Sequence, residues 1–480
     1  MKKPSLLFSL IPIVFLVTLL IINVIIFKDN ASYGPNQVAL LLGALVTGLI
    51  GFYKYGIGFD IIEEGINKAT SNALSAMIIL IVIGALIGTW ILSGTVPALI
   101  YYGLKIITPQ VFLPVSCIAC SIVSLATGSS WSTTGTIGIA LIGIGEALGF
   151  DTGLVAGAII SGAYFGDKMS PLSDTTNLAA EMAETDLFTH IKHMIYTTGP
   201  AIIISLIIFT IIGLTNSPTS LETGSIQALT SVLDQNFNIT FWTFIPPLIV
   251  LILVRKKIPA LPAITLGILS AVVVACIFQQ ELLQKMMGGS FSFKAVYEVI
   301  IHVSYAGFSI ESGHNVIDKL LNRGGMEGML TTVWLIFSAM VFGGTLEATG
   351  MLQVIAETIL KAVKGTGSLI GATLGSCIFL NATASDQYLA IVVPGRMFKK
   401  AYDDYNLAPQ NLSRALEDAG TVTSVLIPWN SGGAYNAGVL GVATLSYAPY
   451  CFFNMLSPLI SAFLGAMNIS IIEKVNSRSE

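Results

Sequence analysis

The sequence predicts an all-α, polytopic membrane protein with about eleven to thirteen transmembrane segments. Three observations carry that prediction. Of its 480 residues 54% are hydrophobic and only 10% are charged, where a soluble protein carries about 25% charged residues. The mean hydropathy of +0.80 requires apolar segments to face lipid rather than a water-shielded core. Apolar runs of spanning length also recur along the whole chain, about 20 residues being needed to cross about 30 Å of hydrocarbon.

The clearest runs are 6–27, 36–53, 73–93, 194–214, 241–254, 259–278, 329–345 and 451–470. Interrupted runs lie at 95–107, 111–127, 132–148, 152–166, 352–362, 367–381, 386–395 and 419–441. Several of the latter read as half-helices that break inside the bilayer. Lys2 and Lys3 precede a first run of 22 apolar residues with no small-x-small site after it, so this is a retained helix and not a cleaved signal. The positive-inside rule puts the N-terminus in the cytoplasm, with Arg255, Lys256 and Lys257, then Arg396, Lys399 and Lys400, as later cytoplasmic marks. The expected organisation is an N-terminal helix in 1–30, a first repeat in 31–215, connecting helices with a surface segment from 280 in 216–328, and the core of a second repeat in 329–480.

Composition excludes several classes. Twenty-three basic against 27 acidic residues give a net charge of −4, with no basic footprint for nucleic acid. Five cysteines in 480 residues exclude a secreted disulfide scaffold. No stretch is left for a soluble catalytic domain, so neither an enzyme nor a cofactor is expected. Membrane lipid is the expected environment, a homodimer the expected assembly.

The polar residues repeat. Ser116-Cys117 leads to Ala126-Thr127-Gly128-Ser129-Ser130-Trp131, and later comes Ser170-Pro171-Leu172-Ser173-Asp174-Thr175-Thr176-Asn177. In the second half Ser376-Cys377 leads to Asn381-Ala382-Thr383-Ala384-Ser385-Asp386, and later Pro428-Trp429-Asn430-Ser431-Gly432-Gly433-Ala434-Tyr435-Asn436 follows. The offset between matching features stays near 256 to 260 residues. Gly-rich polar breaks at corresponding places in two halves point to the binding site of a secondary transporter, commonly with inverted repeats. Unwound backbone is tolerated in the bilayer only where protein or a wet cavity covers it; the reading is therefore two repeats with broken helices or re-entrant hairpins, inverted if an odd number of crossings separates them.

Four clusters hold the candidate chemistry. Between Thr127 and Thr136 lie seven Ser/Thr hydroxyls, hard oxygen ligands suited to Na⁺ or Li⁺, although small residues also serve close helix packing. Residues 161–179 place Asp167, Lys168, Ser170, Ser173, Asp174, Thr175 and Asn177 around Pro171. A carboxylate at membrane depth usually faces a cavity, a partner or an ion; the plainer alternative is a cytoplasmic loop with Asp167 and Lys168 as a solvated pair. The second-half clusters run from Asn381 to Gln387 and from Glu417 to Asn436, where Asp386 could be a helix cap and Asn430 a surface turn. Elsewhere, Glu347 reads as an interface residue, Glu311 and His314 as a surface segment, His190 and His193 as juxtamembrane, and Cys117 with Cys120 as helix packing.

The stretches GSSWSTTGTIGIALIGIGEALG (128–149), SGAYFGDKMSPLSDTTNLA (161–179) and DLFTHIKHMIYTTGP (186–200) resemble the NhaC-type Na⁺/H⁺ antiporters. So do SGHNVIDKLLNRGGMEGML (312–330), FGGTLEATGML (342–352) and PWNSGGAYNAGVLGV (428–442). The resemblance covers most of the chain from about residue 36 to 460. It implies exchange of Na⁺ or Li⁺ for H⁺ at the bacterial cytoplasmic membrane, on an inverted-repeat scaffold of the ion-transporter superfamily. Relatives of the same family exchange malate for lactate, so an organic-anion exchanger coupled to Na⁺ and H⁺ stands as the alternative. The expected cation and proton site is Asp174 with Ser173, Thr175 and Asn177, facing Ser130, Thr133, Asp386 and Asn430, with Asp167 or Asp386 next in line. The alternative would use Lys168 and Asn436 as an anion clamp.

Overall fold

The computed structural model describes residues 3–215, 223–256, 258–288, 292–361 and 363–474. Lys2 and Lys257, two of the expected cytoplasmic marks, lie outside the described residues. The described chain is helical, without a strand; its only extended pairing is one isolated bridge between Leu407 and Glu473.

Among the described residues seven helices are long and apolar enough to span a bilayer: Leu6–Phe27, Pro35–Tyr55, Phe59–Leu92, Pro109–Thr127, Leu187–Thr215, Ala260–Phe278 and Glu327–Ala348. Two bent pairs, Leu229–Asn236 with Phe241–Arg255 at 93° and Thr444–Tyr450 with Phe452–Ala466 at 56°, are broken spans or re-entrant loops; counting each as one span brings the number to nine. Other expected crossings fall on shorter or more polar helices. The helix Thr152–Met169 is an example: it is buried from Gly153 to Lys168 except at Phe165, so it presents almost no surface to lipid and its sequence need not be uniformly apolar.

The longest helix, Phe59–Leu92, has 34 residues, about 51 Å at 1.5 Å per residue. That exceeds about 30 Å of hydrocarbon, and its first turns carry Asp60, Glu63, Glu64 and Lys68 while Leu80–Leu92 is almost wholly buried. The helix Thr152–Met169 packs on Pro109–Thr127 with backbones nearly touching. A Cβ at Gly162 would stand 2.1 Å from the Cys117 carbonyl oxygen, and one at Gly166 would stand 2.3 Å from that of Ser121. Small residues let membrane helices approach this closely. Cys117 and Cys120 are free and buried in that contact.

One further expectation changes. Residues 280–328 are not a simple surface segment: Ile317, Leu320 and Leu321 are buried, and the Gly325 N–H donates to the Gly84 carbonyl at 2.7 Å. This end of the segment is wedged against the long helix. His190 and His193, in the first two turns of the helix Leu187–Thr215, are buried in the protein, and the His190 Nδ1 lies 2.7 Å from the Ser413 hydroxyl.

Candidate functional site

The broken helices converge on one cavity of about 680 Å³. It is lined by residues of the stretch Asn72–Ile79 of the long helix and of Pro259–Ile264, and by Ser129, Ser130, Asp167, Ser173, Asp174, Thr175, Asp386, Gln387 and Ser431. A shallower recess of about 430 Å³ shares Gly128, Ser129, Ser132, Asp174, Pro259 and Ala260 with it and adds Pro171, Asn177, Val254 and Ile258. That recess therefore adjoins the chain on both sides of Arg255 and Lys256.

Each polar side chain is placed by a local break. Gly128 takes the left-handed conformation at φ +71° and ends the helix Pro109–Thr127; Ser129 then caps the next helix by accepting from the Ser132 N–H at 3.1 Å. The restarted helix passes through a π-helical stretch, Thr134–Gly138, a feature frequent at functional sites. Ser173 starts the helix Asp174–Ala183 by accepting from Thr176 N–H. Asp386 starts Gln387–Asp404 by accepting from Leu389 N–H at 3.0 Å, and Asn430 starts Ser431–Leu440 by accepting from Gly432 N–H at 2.9 Å. First-turn residues of all four helices, Ser130, Asp174, Gln387 and Ser431, line the cavity. Helix N-termini favour negative charge, so these ends stabilise the carboxylates gathered between them.

Three aspartates face this space. Asp167 is 7% exposed and Asp386 3%, whereas Asp174 is exposed at the rim shared with the recess. The Oδ2 of Asp167 accepts from the Ser130 backbone N–H at 3.1 Å and from the Ser130 hydroxyl at 2.6 Å. Among the described residues lining the cavity there is no Lys, Arg or His. Trp131 and Tyr435 also line the cavity; they stack with ring centroids 4.2 Å apart, and the Tyr435 hydroxyl donates to the Trp131 carbonyl at 2.8 Å.

The structure thus brings together Ser130, Asp167, Ser173, Asp174, Thr175 and Asp386. Thr133, Asn177 and Asn430 do not line the main cavity. The Thr133 hydroxyl donates to the Ser129 carbonyl at 2.9 Å. The Asn177 amide donates to the carbonyls of Pro171 and Ser173 at 3.0 and 2.7 Å, fastening the turn before its helix. The Asn430 amide donates to the Asn381 carbonyl at 2.9 Å, and Asn381 in turn donates to the Gly420 carbonyl at 2.7 Å, so this pair braces the second-half break.

Neither Lys168 nor Asn436 lines the cavity. Lys168 does not pair with Asp167 as a solvated loop pair would; it is fully buried and paired with Asp418. Asn436 donates to the Gly432 carbonyl at 2.9 Å. Glu417 and Asp418 stand at the head of the fourth polar cluster, without a role in the expected site, and both are fully buried. Their signal was two adjacent carboxylates followed by the apolar stretch from 419. Glu347 pairs with Lys68 at 3.1 Å in a half-exposed position.

The model of the Na⁺/H⁺ antiporter family matches residues 162–469. The chain is also 37% identical over 471 residues to the Na⁺/H⁺ antiporter NhaC of Alkalihalophilus pseudofirmus, covering 98% of this chain and 97% of that one. It belongs to the Na⁺/H⁺ antiporter family. Other members share as much sequence: the malate-2H⁺/Na⁺-lactate antiporter of Bacillus subtilis is 38% identical, with 94% of this chain and 92% of that one covered. The arginine/ornithine antiporter ArcD of Halobacterium salinarum is also 38% identical, with 97% of this chain and 92% of that one covered. Within the family this chain is a multi-pass helical membrane protein whose broken helices surround an acidic cavity.

Proposed function

We propose that this protein exchanges Na⁺, or Li⁺, for H⁺ across the bacterial cytoplasmic membrane by alternating access, with the acidic cavity as the shared site. The observation that carries the proposal is the lining: three carboxylates, several hydroxyls and, among the described residues, no cationic side chain. Hard oxygen ligands suit a hard cation, and uncompensated carboxylates at membrane depth attract one. Two family members are named as Na⁺/H⁺ antiporters at 37% identity, which supports the same reading.

Asp167 and Asp386 are the deep ligands, assisted by the Ser130 hydroxyl; Asp174 draws cations in at the rim. Na⁺ binds while the carboxylates are charged, and protons arriving from the other side neutralise them and expel it. One site for two competing cargoes gives exchange, because neither the empty charged state nor the doubly occupied state crosses readily. The positive-inside rule applied to Arg255 and Lys256 directs the open side of the cavity to the cytoplasm, and applied to Lys2 and Lys3 it directs the N-terminus there. The malate-lactate exchange named for one relative would need a cationic clamp at the cavity; Lys168, its best candidate, is neutralised by Asp418.

The test is reconstitution into vesicles with an acid interior and a pH-sensitive dye. Interior alkalinisation on adding external Na⁺ or Li⁺ alone is the expected result. A response that requires malate or lactate would move the protein to organic-anion exchange.

A further inference from the structure

We infer that Lys168 and Asp418 are positioning residues for this exchange: their buried ion pair fixes the helix turn that presents Asp167 to the cavity. The inference rests on the cation-exchange reading above.

Adjacent helical residues point about 100° apart, so while Asp167 faces the cavity, Lys168 enters the protein. Neither Lys168 nor Asp418 has any exposed side-chain surface. The Lys168 Nζ also donates to the Ser457 hydroxyl at 3.0 Å. The Oδ1 of Asp418 accepts from Lys168, from Thr197 at 2.9 Å and from Ser457 at 3.1 Å. The Lys168 carbonyl accepts from the Thr176 hydroxyl at 3.1 Å. One helix turn is thus tied to four others: Thr176 on Asp174–Ala183, Thr197 on Leu187–Thr215, Asp418 in the π-helical stretch Glu417–Thr421, and Ser457 on Phe452–Ala466.

Stability does not explain such a pair. Desolvating each ion costs several kcal/mol, and well-packed apolar replacements are often neutral or stabilising. What the pair does supply is direction. The Ser130 contacts of Asp167 at 2.6 and 3.1 Å hold only if the turn neither rotates nor slides, and ligand geometry of this kind tolerates little displacement. The partner of Lys168 lies 250 residues away, so the pair also makes the Asp167 turn move together with second-half elements.

Removing one partner would strand a buried charge, so the test is the near-isosteric neutral double variant Lys168→Met/Asp418→Asn in vesicles, with Asp167→Asn in parallel. The double variant is expected to accumulate and to exchange, with half-saturating Na⁺ raised about tenfold or more by the misplaced ligand. A purely structural pair would change yield and leave the half-saturating Na⁺ unaltered, and that result overturns the inference. If the double variant does not accumulate, Thr197→Val replaces it; there a raised half-saturating Na⁺ supports the inference and an unchanged one overturns it. Normal exchange by Asp167→Asn would overturn both this inference and the cation-site reading. A dead Asp167→Asn beside a double variant of ordinary Na⁺ dependence would overturn the positioning role alone.

Discussion

Replacing Asp167 with Asn removes one charge and almost no volume. The amide oxygen can still accept from the Ser130 hydroxyl, now at 2.6 Å from the carboxylate, and from its N–H at 3.1 Å, so the local fold is retained. What is lost is the attraction between carboxylate and Na⁺. For unit charges about 4 Å apart at an effective dielectric of about 20 it amounts to about 4 kcal/mol. At about 1.4 kcal/mol per decade this is nearly three decades of affinity. Asp386 and Asp174 remain in the cavity and recover part of it, so half-saturating Na⁺ should rise by about two to three decades. The assay is Na⁺-driven alkalinisation of acid-loaded vesicles at matched protein content. Half-saturation within about threefold of the parent would correspond to less than about 1 kcal/mol and would refute the assignment of Asp167 as a ligand.

Other residues give graded expectations. Asp386→Asn keeps a good helix cap toward Leu389, so thermal stability should change little while exchange is lost; Asp386→Ala should in addition cost about 1 kcal/mol of stability, read by thermal unfolding in detergent. Asp174→Asn, at the exposed rim, should raise half-saturating Na⁺ several-fold at low salt and little at about 0.15 M, where screening shortens to about 8 Å; a loss as complete as at Asp167, independent of salt, would make it a deep ligand. Tyr435→Phe removes the 2.8 Å bond to the Trp131 carbonyl but not the ring stack; thermal unfolding should show a loss of about 1 kcal/mol, with half-saturating Na⁺ unchanged.

The sequence was most informative where a residue's role follows from its immediate neighbours. The long apolar runs became helices because twenty lipid-facing residues leave few alternatives, and the Gly128-Ser129 and Pro428-to-Gly433 breaks were visible as polar punctuation in apolar surroundings. The clustering of Ser130, Asp167, Ser173, Asp174, Thr175 and Asp386 was legible for the same reason, since each sits at or beside a break. The helix Thr152–Met169 was harder to place because a helix enclosed by protein carries no lipid-facing signature. Burial of His190 and His193 depends on neighbours such as Ser413, 223 residues from His190. The Lys168–Asp418 pair was invisible because no local pattern links residues 250 apart, and Lys168 stands in sequence beside an aspartate it does not pair with. Asn177 and Asn430 had the right composition for ligands, yet their amides are used to fasten turns.

The central claim is that Na⁺ and H⁺ compete for one site, and proton release on Na⁺ binding tests it most directly. Purified protein in detergent, held in weakly buffered solution, would receive NaCl, with choline chloride as the control for ionic strength. The account predicts acidification with Na⁺ that saturates with site occupancy, is lost in Asp167→Asn, and is accompanied by a half-saturating Na⁺ that rises as pH falls, by up to about tenfold per unit for one competing proton. Saturable Na⁺ binding with no proton release, and with an affinity independent of pH, would contradict it.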